Sequence, residues 1–204
     1  MLLSPTIVLK ISLNKYIIFI FDNTSFMANF IYFIFYSFIG FVFETVYTLI
    51  TKGIFKMKKC FLFNFLCPVY GIGALVIIFA TRKFKNNKLL TFIIGTICST
   101  LTELVFGIFY TSVLNTRIWN YNDIPISFSG HISLIFSLMW GVLSIILVYY
   151  VHPFVENKLK ITTMPKPIYY SIFLFIIIDI LLSCFFLKKY KTQKALSLGW
   201  LINH

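Results

Sequence analysis

Residues 29–51, NFIYFIFYSFIGFVFETVYTLIT, form an apolar run whose one charged side chain is Glu44. The run has about the length a helix needs to cross a bilayer. Inside lipid every backbone N–H and C=O has to be satisfied within the segment, so this stretch can cross only as a helix. Ser37, Gly40, Glu44 and Tyr47 recur at i, i+3, i+7 and i+10 and line one face, while Phe and Ile fill the rest. A polar, small-residue stripe of this kind turns towards other helices.

The remaining chain repeats the theme. It is 204 residues long, 59% hydrophobic and 20% aromatic, with a mean hydropathy of +0.91. That is too apolar for a soluble domain and reads as an integral membrane protein of several spans. No polar segment is long enough to enclose a separate core, so residues 27–204 read as a single transmembrane helical domain with no room for an ATP-binding domain. The net charge of +12 lies in short clusters between apolar runs. Such clusters are topology signals and contacts for lipid headgroups, and with no soluble basic fold to carry them they argue against nucleic-acid binding. The abundance of Ile, Phe, Lys, Asn and Tyr fits an AT-rich genome, which places the expectation in a bacterial cytoplasmic membrane.

Taken in order, residues 1–26 read as an interfacial segment or as sequence before a start at Met27, because the run 16–21 is too short to span. After the first span, Lys52, Lys56, Lys58 and Lys59 form a basic loop. Residues 60–81, CFLFNFLCPVYGIGALVIIFAT, are long enough to cross, but Asn64, Pro68, Gly71 and Gly73 break the first half. Pro68 offers no backbone donor and the glycines permit close approach, so this segment is expected to be a broken span or a re-entrant element. Residues 89–114 carry Gly95, Ser99, Glu103 and Gly107 at four-residue spacing, a small-residue packing stripe with a carboxylate in it. A polar, aromatic loop at 115–129 leads to a span at 130–151 with Gly130, Ser133, Ser137, Gly141 and Ser144 along one face and Trp140 beside it. Residues 152–167 read as a basic loop, and 168–187 as a last span holding Asp179 between Ser171 and Ser183. The fold class is therefore an all-α polytopic transmembrane helix bundle of four to six membrane segments, the balance leaning to four or five full spans plus the broken one.

Three of the six acidic residues, Glu44, Glu103 and Asp179, lie inside apolar runs. A charged side chain at the centre of a span costs about 2.5–3.5 kcal/mol on insertion scales, so each must face the bundle or a wet cavity. Glu44 and Glu103 are read as functional, whereas Asp179 is read as a hydrogen-bonding tie between helices. Arg117 reads equally as a partner for a carboxylate or anionic group and as an interfacial residue, with Trp119 and Tyr121 as anchors. Cys60, Cys67, Cys98 and Cys184 sit in apolar surroundings without CxxC spacing and are expected to be small buried hydrophobes. His131, His152 and His204 are dispersed; neither a metal site nor a cofactor is expected. GIGAL at 71–75 lacks both the preceding strand and the third glycine of a dinucleotide fingerprint.

The segments FYSFIGFVFETVY, CPVYGIGALVI, TELV and RIWNYNDIPISFSGHISLIFSLMWGVL, in this order, resemble the Putative ABC-transporter type IV family, the CmpB-like ABC transporter permeases. The resemblance runs from about Phe35 to Glu156. The family's G-W-x-x-E appears as Gly40, Phe41 and Glu44, with Phe for Trp. Its C-P-x-Y-G-x-G-A is intact from Cys67 through Pro68, Tyr70, Gly71 and Gly73 to Ala74, and its span acid corresponds to Glu103. Its R-x-W-D-Y is met by Arg117, Trp119 and Tyr121 with Asn120 for Asp. Its G-R-x5-S-x-x-W-G is met by Gly130, Ser137, Trp140 and Gly141 with His131 for Arg. The lost acid and lost guanidinium read together as a compensated charge pair. The resemblance implies a multi-spanning bacterial permease, and these matched positions join Glu44 and Glu103 as substrate-binding or structural-polar candidates.

Three functions compete. A transport component is favoured, since intramembrane carboxylates, a broken Pro/Gly segment and small-residue helix faces are what a substrate path needs. It would work among membrane lipids with a separate ATPase subunit or as a homo-oligomer. The alternatives are an intramembrane enzyme on a lipid-linked substrate, with Glu44 or Glu103 as acid/base and Arg117 holding a phosphate, and a non-catalytic scaffold.

Overall fold

Helices dominate because lipid leaves the backbone no other partner than itself. The computed structural model describes residues 23–53, 55, 60–158 and 165–203; the expected interfacial segment at the N-terminus lies almost wholly outside them. The helices are α1 (Asn23–Lys52), α2 (Pro68–Thr81), α3 (Lys88–Ile108), α4 (Leu134–Ile146), α5 (His152–Lys158), α6 (Lys166–Tyr190) and α7 (Leu198–Ile202). Among the described residues four helical stretches are long and apolar enough to cross a membrane, Phe26–Thr51, Lys88–Val113, Leu134–Lys158 and Lys166–Tyr190. The all-α transmembrane bundle is thereby shown.

α2 is the exception. Its 14 residues reach about 21 Å, short of a bilayer core. It starts beside the middle of α1, where the Cys67 N–H donates to the Ser37 carbonyl at 3.0 Å. From there it runs antiparallel to α1, with Ala74 and Ile78 packed on Tyr36 and Tyr32. Residues 60–67 before it are not helical. The expected break is therefore real and falls at Pro68, which opens α2 as its first residue, where its missing N–H costs nothing.

The non-helical segment at 60–67 is folded against α6. The Asp179 carboxylate, fully buried, accepts from the backbone N–H of Leu62 (3.2 Å), Phe63 (3.1 Å) and Asn64 (2.9 Å) and from Asn64 Nδ2 (2.7 Å). Ser183 accepts from Leu62 N–H at 2.9 Å and donates to Asp179. An unpaired N–H at this depth costs about 1–3 kcal/mol, so one anion replaces the ladder that a helix would have supplied. The tie expected of Asp179 is the observed one. Around it Phe61, Leu66 and Ile176 form an apolar cluster with Phe30 and Ile34 of α1.

Cys60 and Cys67 correct the expectation for the cysteines: they form a disulfide, with Cα atoms 5.2 Å apart, while Cys98 and Cys184 are free. The hooked loop returns residue 67 to residue 60, a proximity that spacing of seven without a motif does not reveal. The bridge closes the loop that Asp179 holds.

α3 and α4 pack antiparallel through their small residues. A Cβ on Gly95 would meet Ser144, and one on Gly141 would meet Thr96 and Phe92. The stripes read from the sequence are thus the interface, a small-residue approach of the kind lipid-embedded helices use. Between them, Ser127–Phe128 and Ile132–Ser133 form a short antiparallel ladder. Ser129 (φ 52°) and Gly130 (φ 66°) turn it, and His131 N–H returns to the Phe128 carbonyl. Residues 130–133 are therefore turn and strand, and the span expected from Gly130 begins as helix only at Leu134.

At its far end this span continues where a loop was expected. α4 passes through a wide π turn, Leu147–Val151, directly into α5. Pro153 explains the widening: a proline within a helix has no N–H to donate and crowds the preceding turn. His152 and Glu156 accordingly lie on helix, and His152 Nδ1 meets the Tyr36 hydroxyl at 2.9 Å.

Candidate functional site

A half-open cavity of about 210 Å³ lies between α1, α2, α3 and α4. Glu44 and Glu103 both line it, together with Tyr70, Gly73, Trp119, Tyr121 and Trp140. Seven of the candidates drawn from separate stretches of sequence thus meet at one place. Pro68, Gly71, Arg117 and Ser137 are not among its walls.

Each carboxylate is held by a phenol. Tyr70 Oη donates to Glu44 Oε1 at 2.7 Å, and Tyr121 Oη donates to Glu103 Oε1 at 2.7 Å. Such short hydrogen bonds to a charge-bearing acceptor are about twice as strong as neutral ones. Tyr70 is supplied by the break: it sits in the first turn of α2, and its ring lies against Gly40 so closely that a Cβ there would collide with it. The Gly40–Glu44 spacing on α1 therefore creates the slot and the acceptor on the same face. Tyr121 comes from outside the spans. Its loop drops it onto Phe136, ring on ring at 4.7 Å, and burial first, then the neighbouring Glu103 carboxylate, holds its phenol well above the usual range. Tyr121 is consequently a hydrogen-bond donor at any working pH.

Glu103 is 6% exposed. The Trp140 indole N–H is near enough to act on it but closes no hydrogen bond of good geometry, so Trp140 Nε1 and Glu103 Oε2 are buried polar atoms without a partner among the described residues. Trp140 in turn stands edge-on to Tyr70, centroids 5.4 Å apart. Trp119 donates its Nε1–H to the His131 carbonyl at 2.9 Å and packs edge-on to Tyr110. The rings are thus fixed by their own contacts before anything enters.

The other candidates support the walls. Gly71 lets α2 approach Ser37 and the Phe33 carbonyl, Pro68 starts α2, and Ser137 is buried on α4. Arg117 is exposed and donates from Nη1 to Asn120 Oδ1 at 3.0 Å. Asn120 Oδ1 also accepts from the Asn122 N–H and lies over Gly130, next to His131, so the two exchanged positions share one loop cluster. His131 packs its ring on Gly107; burial, and then the Arg117 charge, lower its pKa. Periodicity and motifs passed over Tyr36, Phe43 and Thr102 in the wall. For Tyr36 a signal was present: Tyr36, Gly40 and Glu44 stand at i, i+4 and i+8 on one helical row.

A four-helix membrane bundle with a half-length helix beside a cavity that carries two carboxylates defines a polytopic membrane protein with a half-open, largely apolar chamber. The family model described as Putative ABC-transporter type IV matches residues 31–184, so the chain belongs to that family. The match extends past Glu156 and into α6 as far as Cys184, and so includes Asp179 and its tie to the broken segment. No curated protein and no solved structure matches the chain.

Proposed function

We propose that this chain is the membrane-spanning component of a transporter, that the chamber holding Glu44 and Glu103 is part of its substrate path, and that ATP hydrolysis is supplied by a separate ATPase subunit. The observation that carries the reading is the chamber itself. Two carboxylates sit at membrane depth beside a helix that starts midway, the arrangement by which discontinuous helices build binding sites in transporters. Membership of an ABC-transporter family supports the ATPase partner. Arg117 stands apart from the two carboxylates, so the competing enzyme reading loses the phosphate-holding group it was built on.

The test is isolation of the tagged full chain from its native membrane in mild detergent, followed by mass spectrometry and an ATPase assay of the eluate. An ATPase subunit that co-elutes in fixed proportion, with hydrolysis altered in Glu44→Gln and Glu103→Gln, is the expected result. A self-contained oligomer devoid of nucleotide hydrolysis would overturn it.

A further inference from the structure

The geometry points to an organic ammonium ion, primary or quaternary, as the ligand of the Glu44–Glu103 chamber. The inference rests on the reading of that chamber as a substrate path and names what travels in it. Three observations carry it. Glu44 and Glu103 are the carboxylates of the wall, and no Lys, Arg or His is among the walls. Glu103 is 6% exposed and lines the cavity, yet its Oε2 has no partner among the described residues, so a buried acceptor in the wall is left without a donor. Besides the hydroxyls of Ser99, Thr102 and Ser144, the polar wall is ring: Trp119, Trp140, Tyr70 and Tyr121 line the cavity, their positions set by contacts with Tyr110, Phe136 and one another.

Carboxylate and aromatic faces together are the chemistry that binds alkylated ammonium groups, the charge meeting the acid and the N-alkyl groups meeting the rings. A metal ion asks for something else. Hard cations take six or more oxygen ligands, and among the described residues no three His, Cys, Asp or Glu side chains converge. An anion is opposed by both acids. The positive pole of α2, which would oppose a cation, is largely turned inward: Pro68 has no N–H, and the N–H groups of Tyr70 and Gly71 return to the Cys67 carbonyl. Preformed rings also lower the ordering cost of binding, which matters for a ligand this small.

The probe is tetramethylammonium, titrated into the purified full chain in nanodiscs of phosphatidylglycerol, which carries no ammonium, with tryptophan fluorescence and calorimetry as readouts. Saturable binding of tetramethylammonium is expected, with neither acetate nor tert-butanol, a neutral near-isostere of the same size, competing. Glu103→Gln should weaken it by at least about tenfold. Trp140→Leu should weaken it by about tenfold while Trp140→Phe, which keeps a π-face and sacrifices no hydrogen bond, retains most of it. If Glu103→Gln does not fold, the Trp140 pair decides. Wild type that does not bind the cation, competition by the neutral isostere, or equal binding by both Trp140 variants would overturn the inference. Nanodiscs containing phosphatidylethanolamine separate the sources: competition assigns the ammonium to a lipid headgroup, its absence to a free solute, and either supports the class. Because binding is read on the isolated chain, its failure is distinct from a failure to find an ATPase partner.

Discussion

Tyr70 and Tyr121 show how much depends on single contacts. Each gives one phenolic proton to one carboxylate, and each arrives from a region that no helix-periodicity argument would direct to the chamber. Gly40 decides whether the first contact exists. Gly40→Ala should displace the Tyr70 ring, lower stability by about 1–3 kcal/mol through overpacking, and abolish growth complementation at protein levels close to wild type. Thermal unfolding in detergent and membrane immunoblots check both halves. His131 supplies a pH dependence. Its pKa in the folded chain is lowered by burial and by Arg117, so below the ordinary value near 6.5 the unfolded state binds more protons. Its contribution is thus fully kept above about pH 6.5 and falls as pH is lowered towards the folded value. The unfolding temperature of wild type should drop more steeply between pH 8 and pH 5.5 than that of His131→Gln. Equal slopes would remove His131 from the account.

At the scale of elements, the broken segment separates what a sequence can announce from what it cannot. Pro68, Gly71 and Gly73 announced the break, because proline and glycine act on their own backbone. Asp179 announced only that it needed a partner. Its partners are the backbone donors of Leu62, Phe63 and Asn64, and a backbone N–H has no letter in the sequence. The same blindness hid the Cys60–Cys67 bridge and the continuation of α4 into α5 past Pro153, where the π turn absorbs the proline. Asp179→Ala leaves the Phe63 and Asn64 N–H groups and Asn64 Nδ2 without their acceptor, while Leu62 N–H keeps Ser183, and should cost about 3 kcal/mol, measured as a lowered unfolding temperature. Alkylation of the denatured, unreduced chain should label Cys98 and Cys184 alone, and all four cysteines only after reduction. Reduction should itself remove about 2 kcal/mol of stability for so short a loop.

On the scale of the whole molecule, Glu44 and Glu103 were legible because a charge in lipid is conspicuous, and the α3–α4 interface was legible because small residues repeat every fourth position. That the two acids share one chamber was not legible: it follows from α2 running antiparallel to α1 beside α3, a matter of topology rather than of spacing. If the chamber is the route, Glu44→Gln and Glu103→Gln should each eliminate complementation, and the double variant should be no worse than either alone. Independent, additive losses would mean that the two acids serve separate tasks.

Asp179 recognises the loop at 62–64 by main-chain donors, and this shapes what substitutions the loop can accept. Phe63 is 45% exposed, and its ring takes no part in the tie. Position 63 is therefore open to almost any side chain that lipid will accept. Proline is the exclusion, because it alone arrives without the hydrogen that the carboxylate holds. Among apolar side chains, a saturation library at this position should accordingly lose proline alone, where a conventional core site would lose most.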